Sequence, residues 1–206
     1  MPRPLPRELV QPEHTALITQ ECQRGVLGEH GSIPALAEEA RREAIPNIAR
    51  LVDAAHQAGV QVVHCTVDFR GDRRGANRNA PLFNLSRAKG DGSPPLPDGS
   101  MVLPEFELLD ADMVLPRLHG LGPMGGTELD HLLRNLGMTT IVGVGVSLNV
   151  AMPNFVMDAV NAGYDFVLPR DAVAGIPREY AEAVIRNSMS FLTTITTTDD
   201  LIAAWS

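Results

Sequence analysis

The stretch TTIVGVGVSLNVAM, residues 139–152, decides the fold. Its first eight residues, Thr139–Val146, are β-branched or glycine throughout. Such a run is too short for a helix and apolar on both faces, which predicts a fully buried strand. After Val146 the spacing becomes helical, from Leu148 to Ala162, and Gly163 stops it. A buried strand feeding a helix is half of a βαβ unit, and such units build parallel sheets covered on both faces. The same alternation runs outward in both directions. Upstream, TALITQ (15–20) predicts a strand, 32–42 a helix with Pro34 in its first turn, and 46–57 a second helix. Ile45, Ile48, Leu51, Val52 and Ala55 fall on one stripe of that second helix. VQVVHCTV (60–67) and residues 112–116 predict strands, and 127–136 a helix. Downstream come a strand at 164–168, a helix at 177–190, a strand at 191–197 and a helix at 199–206. The fold class is therefore α/β, a three-layer α/β/α sandwich with a mostly parallel sheet of five or six strands. Residues 15–206 read as one domain. Residues 1–14, with prolines at 2, 4, 6 and 12, read as an extended N-terminal arm. Residues 70–100 lack periodicity and predict a long loop that shapes a pocket or a subunit contact.

Composition narrows the classes of function. Among 206 residues, 17 are basic and 25 acidic, a formal charge of −8. An acidic chain offers neither the positive field that nucleic acid requires nor a cationic face for anionic lipid. No run of about 18 apolar residues exists, so no membrane span is expected. The start, MPRPLPR, has no apolar segment behind its charges, so no secretory signal and a cytoplasmic location are expected. Cys22 and Cys65 are too few for a disulfide framework, though a single bridge stays open. Gly143-x-Gly145 lacks the third glycine of a dinucleotide loop, since position 148 is Leu148.

In open α/β sheets ligands bind beyond the carboxyl ends of the strands. Three such ends matter here: Gln20–Gln23, Pro116–His119 and Val146–Ala151. Around them, ALITQECQRG (16–25), PNIARLVDAAHQAGVQVVH (46–64), GGTELDHLLRNLGMTTIVGVGVSLNVAM (125–152) and AVNAGYDFVLPRDAVAG (159–175) resemble the isochorismatase-like hydrolases, also called the cysteine hydrolase superfamily. The resemblance covers residues 14–197. The most specific part joins Thr127-x-Leu129-Asp130 to a strand ending Gly145-Val146-x-x-Asn149-Val150.

The resemblance implies a catalytic triad with every position altered. Glu21 stands where the family has an aspartate. Arg117 stands where it has a lysine, given a one-residue insertion. Ala151, two residues after Asn149, stands where it has the cysteine nucleophile. Alanine has no nucleophilic atom and cannot form a thioester. Glu21 carries its carboxylate on a longer stem, and Arg117 presents a planar fork that is charged at every working pH. The two could form a bidentate pair that orients a substrate, or one that only satisfies itself and fills the pocket. The resemblance further implies a cis peptide bond into Ser147. Backbone N–H groups at Ser147 and Ala151 would hold an oxyanion, and Ser147 and Asn149 would line the substrate site. Some nicotinamidase-like members bind metal through Asp-x-His, but here Asp68-Phe69-Arg70 breaks that pattern and residues 71–100 hold no histidine. Neither a metal nor a cofactor is expected. Cys22, Cys65 and His64 read as packed strand residues.

Two functions follow. The first is a small-molecule hydrolase acting without a cysteine nucleophile, with Glu21 as general acid or base and Arg117 anchoring an anionic group. Isochorismatases proper set the precedent, cleaving a vinyl ether without the thiol. The second is an inactive homologue kept as a binding or scaffold protein. An open site with Glu21 reachable speaks for the first, and Glu21 locked to Arg117 for the second. The expected partners are a small-molecule substrate and further copies of the chain, in a dimer or larger assembly, with no nucleic acid and no membrane.

Overall fold

The centre of the molecule is a strand with no exposed residue. In the computed structural model, which describes residues 5–83 and 98–206, β4 (Thr140–Val146) is buried along its whole length. The other strands are β1 (Thr15–Gln20), β2 (Gln61–Val67), β3 (Met113–Arg117), β5 (Asp165–Pro169), β6 (Val173–Ala174) and β7 (Thr194–Thr196). They form a parallel sheet in the order β3-β2-β1-β4-β5-β7, and β6 pairs with β4 beyond the end of β5. The sheet thus has seven strands rather than five or six. The extra one is two residues long, too short to leave a periodic signal.

The helices are α1 (Arg24–Leu27), α2 (Pro34–Arg42), α3 (Ala44–Ala58), α4 (Leu129–Asn135), α5 (Ala151–Asn161), α6 (Arg178–Val184) and α7 (Thr198–Trp205). Alternation along each strand divides the core. Leu17, Val62, Val142 and Val144 face α2, α3 and α7, while Ala16, Ile18, Val63 and Ile141 face α4, α5 and α6. The glycine at 143 has a packing cause. The Phe166 ring lies across β4, and a Cβ at 143 would stand 2.1 Å from Phe166 Cζ. Phe155 of α5 meets that ring edge-on, with centroids 5.1 Å apart.

Three boundaries differ from the sequence reading. Helix α5 starts at Ala151 instead of Leu148, because residues 147–150 make a turn in which Leu148 N–H donates to Ala174 O at 2.8 Å. The last strand begins at Thr194, because α6 runs on through a π turn, Ile185–Met189, into the helical turn Ser190–Leu192. The expected extended arm is corrected for residues 7–14, which form two 3-10 turns, Arg7–Val10 and Pro12–His14. They dock on α7: Trp205 Nε1 donates to Val10 O at 2.9 Å and Arg7 to Ala203 O at 2.8 Å. Of the expected loop 70–100, residues 84–97 lie outside the described residues. Among the described residues no helix is long and apolar enough to cross a membrane.

Beneath α3 lies a buried polar cluster. His64 is fully buried and its Nδ1 pairs with Thr19 Oγ1 at 2.8 Å. Its Nε2 stands 3.9 Å from Asp112, which also holds His56 at 2.9 Å. Burial lowers His64 from 6.5 to about 4, Asp112 opposes that and His56 adds to it. A base whose folded pKa is depressed binds its proton more readily when unfolded. Stability is therefore full above pH 6.5 and drains away as the pH falls toward about 4. We expect His64 alone to contribute a loss of about 3 kcal/mol across that window. Urea unfolding at stepped pH measures it, and His64→Gln should flatten the slope. An equal slope in the variant would assign the acid loss to other groups.

Candidate active site

The carboxyl end of the sheet carries all three strand ends singled out by the sequence. Glu21 follows the last residue of β1, Arg117 ends β3, and Ser147–Ala151 follow β4. Glu21 leaves the strand in a left-handed conformation, φ 56°, with its N–H donating to Cys65 O at 2.9 Å. A non-glycine residue there carries about 1–3 kcal/mol of strain, which surrounding contacts must hold. Those contacts converge on one carboxylate oxygen. Arg117 Nη2 donates to Glu21 Oε1 in a close ion pair, and Gln20 Nε2 donates to the same oxygen at 3.1 Å. Oε2 accepts no hydrogen bond from a described residue.

The pair is unequally sheltered: the Arg117 side chain is 4% exposed, that of Glu21 17%. Glu21 is thus locked to Arg117 and still reachable. Arg117 is also tied to the glycine-rich turn after β3, through Gly120 O at 3.5 Å and Leu121 O at 3.3 Å. Both are longer than an ordinary N–H···O bond. Arg117 Nη1 and Gln20 Oε1 are buried without a partner among the described residues.

On the far side of β1 the Val146–Ser147 bond is cis. The Gly145 backbone, φ 114°, runs so close to β1 that a Cβ would stand 2.3 Å from Gln20 O. The Ser147 carbonyl accepts from Val150 and Met152 N–H, while the Ser147 and Ala151 N–H groups have no backbone acceptor among the described residues. Ala151 is the first residue of α5, so its N–H lies at the positive end of the helix. Asn149 faces away, its amide clamping Ile176 by donating to the carbonyl at 2.5 Å and accepting from the N–H at 2.9 Å. Both cysteines are free and buried. Burial pushes Cys22 far above the ordinary thiol range and Cys65 up to about 12, with Arg117 drawing Cys65 down only in part. Neither supplies a thiolate.

A profile of the isochorismatase domain matches residues 15–200. The chain belongs to the isochorismatase family. Relatives within it include the isochorismatase family protein YwoC of Bacillus subtilis, 26% identical over 84% of this chain and 85% of its own length. The ureidoacrylate amidohydrolase RutB of Acinetobacter baylyi is 28% identical over 93% of this chain and 83% of its own. Among solved structures, a cysteine hydrolase from Pseudomonas syringae superposes with a TM-score of 0.81 at 22% identity, covering 100% of this chain and 98% of that one. N-carbamoylsarcosine amidase from Thermoplasma acidophilum gives 0.69 at 21% identity, covering 90% and 97%. At these identities the structures establish the isochorismatase-like fold, and the family membership establishes kinship with hydrolases.

Sequence reasoning placed Gln20 and Gln23 at the end of the first strand but gave neither a role. Gln20 is a fully buried polar side chain ending an otherwise apolar strand. Its signal was that break in polarity. Gln23 ties the turn after β1 to β2, accepting from Val67 N–H and donating to Val67 O at 2.6 Å and Gly99 O at 2.7 Å. The resemblance marks its position, two residues after Glu21, but not these hydrogen bonds.

Proposed function

We propose that this protein is a small-molecule hydrolase in which water attacks the substrate directly and Glu21 Oε2 is the general base. The observation that carries this reading is the division of labour in one carboxylate. Oε1 is held by Arg117 and Gln20, while Oε2 is unheld on a side chain that solvent reaches. Ala151 stands in the nucleophile's place and the two native thiols are buried, so a covalent thioester has no donor. Oε2 takes a proton from water as the water oxygen adds to the carbonyl carbon. The Ser147 and Ala151 N–H groups hold the resulting oxyanion, and the proton passes to the leaving nitrogen as the C–N bond breaks. Arg117 neutralises Glu21 and orients it.

The named activities of the amidohydrolase relatives favour a carboxamide or ureido substrate. The substrate comes from a screen of amides, ureido acids, esters and vinyl ethers, with ureidoacrylate included. Turnover should appear with one of the C–N substrates and fall about 10²-fold in Glu21→Gln. No turnover in any class, with Glu21→Gln indistinguishable from the parent, would favour the second reading. In it the Glu21–Arg117 lock is the end state of a lost active site, and the protein binds without catalysis. A cytoplasmic, self-associated form is proposed with either function.

A further inference from the structure

Asn149 sits inside the turn after β4 and gives both ends of its amide to another segment. Nδ2 donates to Ile176 O at 2.5 Å and Oδ1 accepts from Ile176 N–H at 2.9 Å. An asparagine at a helix start ordinarily turns its side chain onto the first N–H groups of the helix. Here the cap position is Val150, no side chain caps α5, and Asn149 reaches across to the chain after β6 instead. That chain is stitched to the turn at two further points. Gly145 N–H donates to Ala172 O at 3.0 Å and Leu148 N–H to Ala174 O at 2.8 Å. The two segments are also in tight contact. A Cβ at Gly175 would stand 2.9 Å from Leu148 Cβ and 3.0 Å from Asn149 Oδ1.

These bonds sort the N–H groups of the turn. That of Leu148 goes to Ala174, those of Val150 and Met152 both go to Ser147 O, and Pro153 has none to give. The N–H groups of Ser147 and Ala151, with that of Asn149 between them, have no backbone acceptor among the described residues. A turn that leaves alternate donors unmet is held only in part by its own hydrogen bonds, so its shape depends on an anchor outside it. We propose that Asn149 is a positioning residue. By committing its amide to Ile176 it fixes residues 147–151 to the segment after β6. The same bonds keep its side-chain oxygen from capping the N–H groups that the mechanism above gives to the oxyanion.

The effect on turnover rests on the hydrolase reading, while the positioning itself is read without a substrate. The reporter is Ala151→Cys in the full chain, whose thiol stands at the first residue of α5. The pH dependence of its alkylation by iodoacetamide gives its pKa, which unmet N–H groups at a helix start hold down. Adding Asn149→Ala should raise that pKa by about one unit, a tenfold loss of thiolate on the acid side. Gly175→Ala keeps the amide but crowds it and Leu148, and should raise the pKa in the same direction. With the first C–N substrate that the screen yields, Asn149→Ala alone should lower kcat at least about tenfold and leave KM within about threefold, because the N–H groups meet full charge only in the transition state. A role in stability alone would lower the urea midpoint and move neither the thiol pKa nor kcat. A pKa unchanged in both folded variants, or failure of both to fold, overturns the proposal. A raised pKa with no turnover in the parent would uphold Asn149 and sink the hydrolase reading. Turnover with kcat untouched by Asn149→Ala would do the reverse.

Discussion

Arg117→Ala should destabilise the folded chain by about 3 kcal/mol, as read from urea midpoints at constant m. The guanidinium is 4% exposed and is the only cation on Glu21 among the described salt bridges. Its removal leaves a carboxylate facing a void, with only the Gln20 amide to hold it. It also removes one of the contacts that hold Glu21 in its left-handed backbone conformation. The 17% exposure of Glu21 lets water repay part of this, which keeps the loss toward the lower end of the range for broken buried pairs. Arg117→Lys retains the charge but not the fork, and should cost about 1 kcal/mol. The double change Arg117→Met with Glu21→Gln removes both charges and should recover most of the loss, because neither partner is then left alone. A loss below about 0.5 kcal/mol for Arg117→Ala would mean that the pair is solvated and contributes as a surface ion pair does.

The fold was legible because β4 and its neighbours are buried on both faces, and such strands read as unbroken apolar runs. The amphipathic stripe of α3 was legible for the complementary reason, one face in the core and one in water. What escaped was set by tertiary contact. β6 exists because Gly145 and Val146 of β4 present a ladder edge beyond the end of β5. The 3-10 turns at 7–14 exist because Trp205 and Ala203, almost two hundred residues away, receive them. The site shows the same division. The resemblance assigns Glu21, Arg117 and Ala151 to strand ends, and those ends lie at the carboxyl end of the sheet. The single-oxygen grip on Glu21, the orphaned amide of Gln20 and the clamp of Asn149 on Ile176 are properties of side-chain direction, on which spacing is silent.

Ala151→Cys should fold, gain alkylation by iodoacetamide at that position and show only trace amidase activity. The residue is small and starts α5, so a sulfur adds little volume and sits at the helix N-terminus, where a thiolate is stabilised. The native thiols are buried and pushed upward, so labelling reports the new one. Catalysis does not follow from the thiolate alone. Glu21 is held through Oε1 by a planar guanidinium and the Gln20 amide, which on the proposed reading leaves Oε2 to act on water. A carboxylate displaced by about 1 Å from where a thiol needs it costs about 10²-fold. The triple change, adding Glu21→Asp and Arg117→Lys, shortens the acid and replaces the fork by a point charge. It should exceed the single variant by at least about 10²-fold in amidase kcat/KM, because groups that act as a unit are strongly non-additive. Trapping with hydroxylamine separates the two chemistries, since an acyl-thioester partitions to the hydroxamate. The triple variant should form it and the parent should not. Ordinary amidase rates from Ala151→Cys alone would show that Glu21 and Arg117 still suit a thiol, and that the loss of one sulfur was the whole of the divergence.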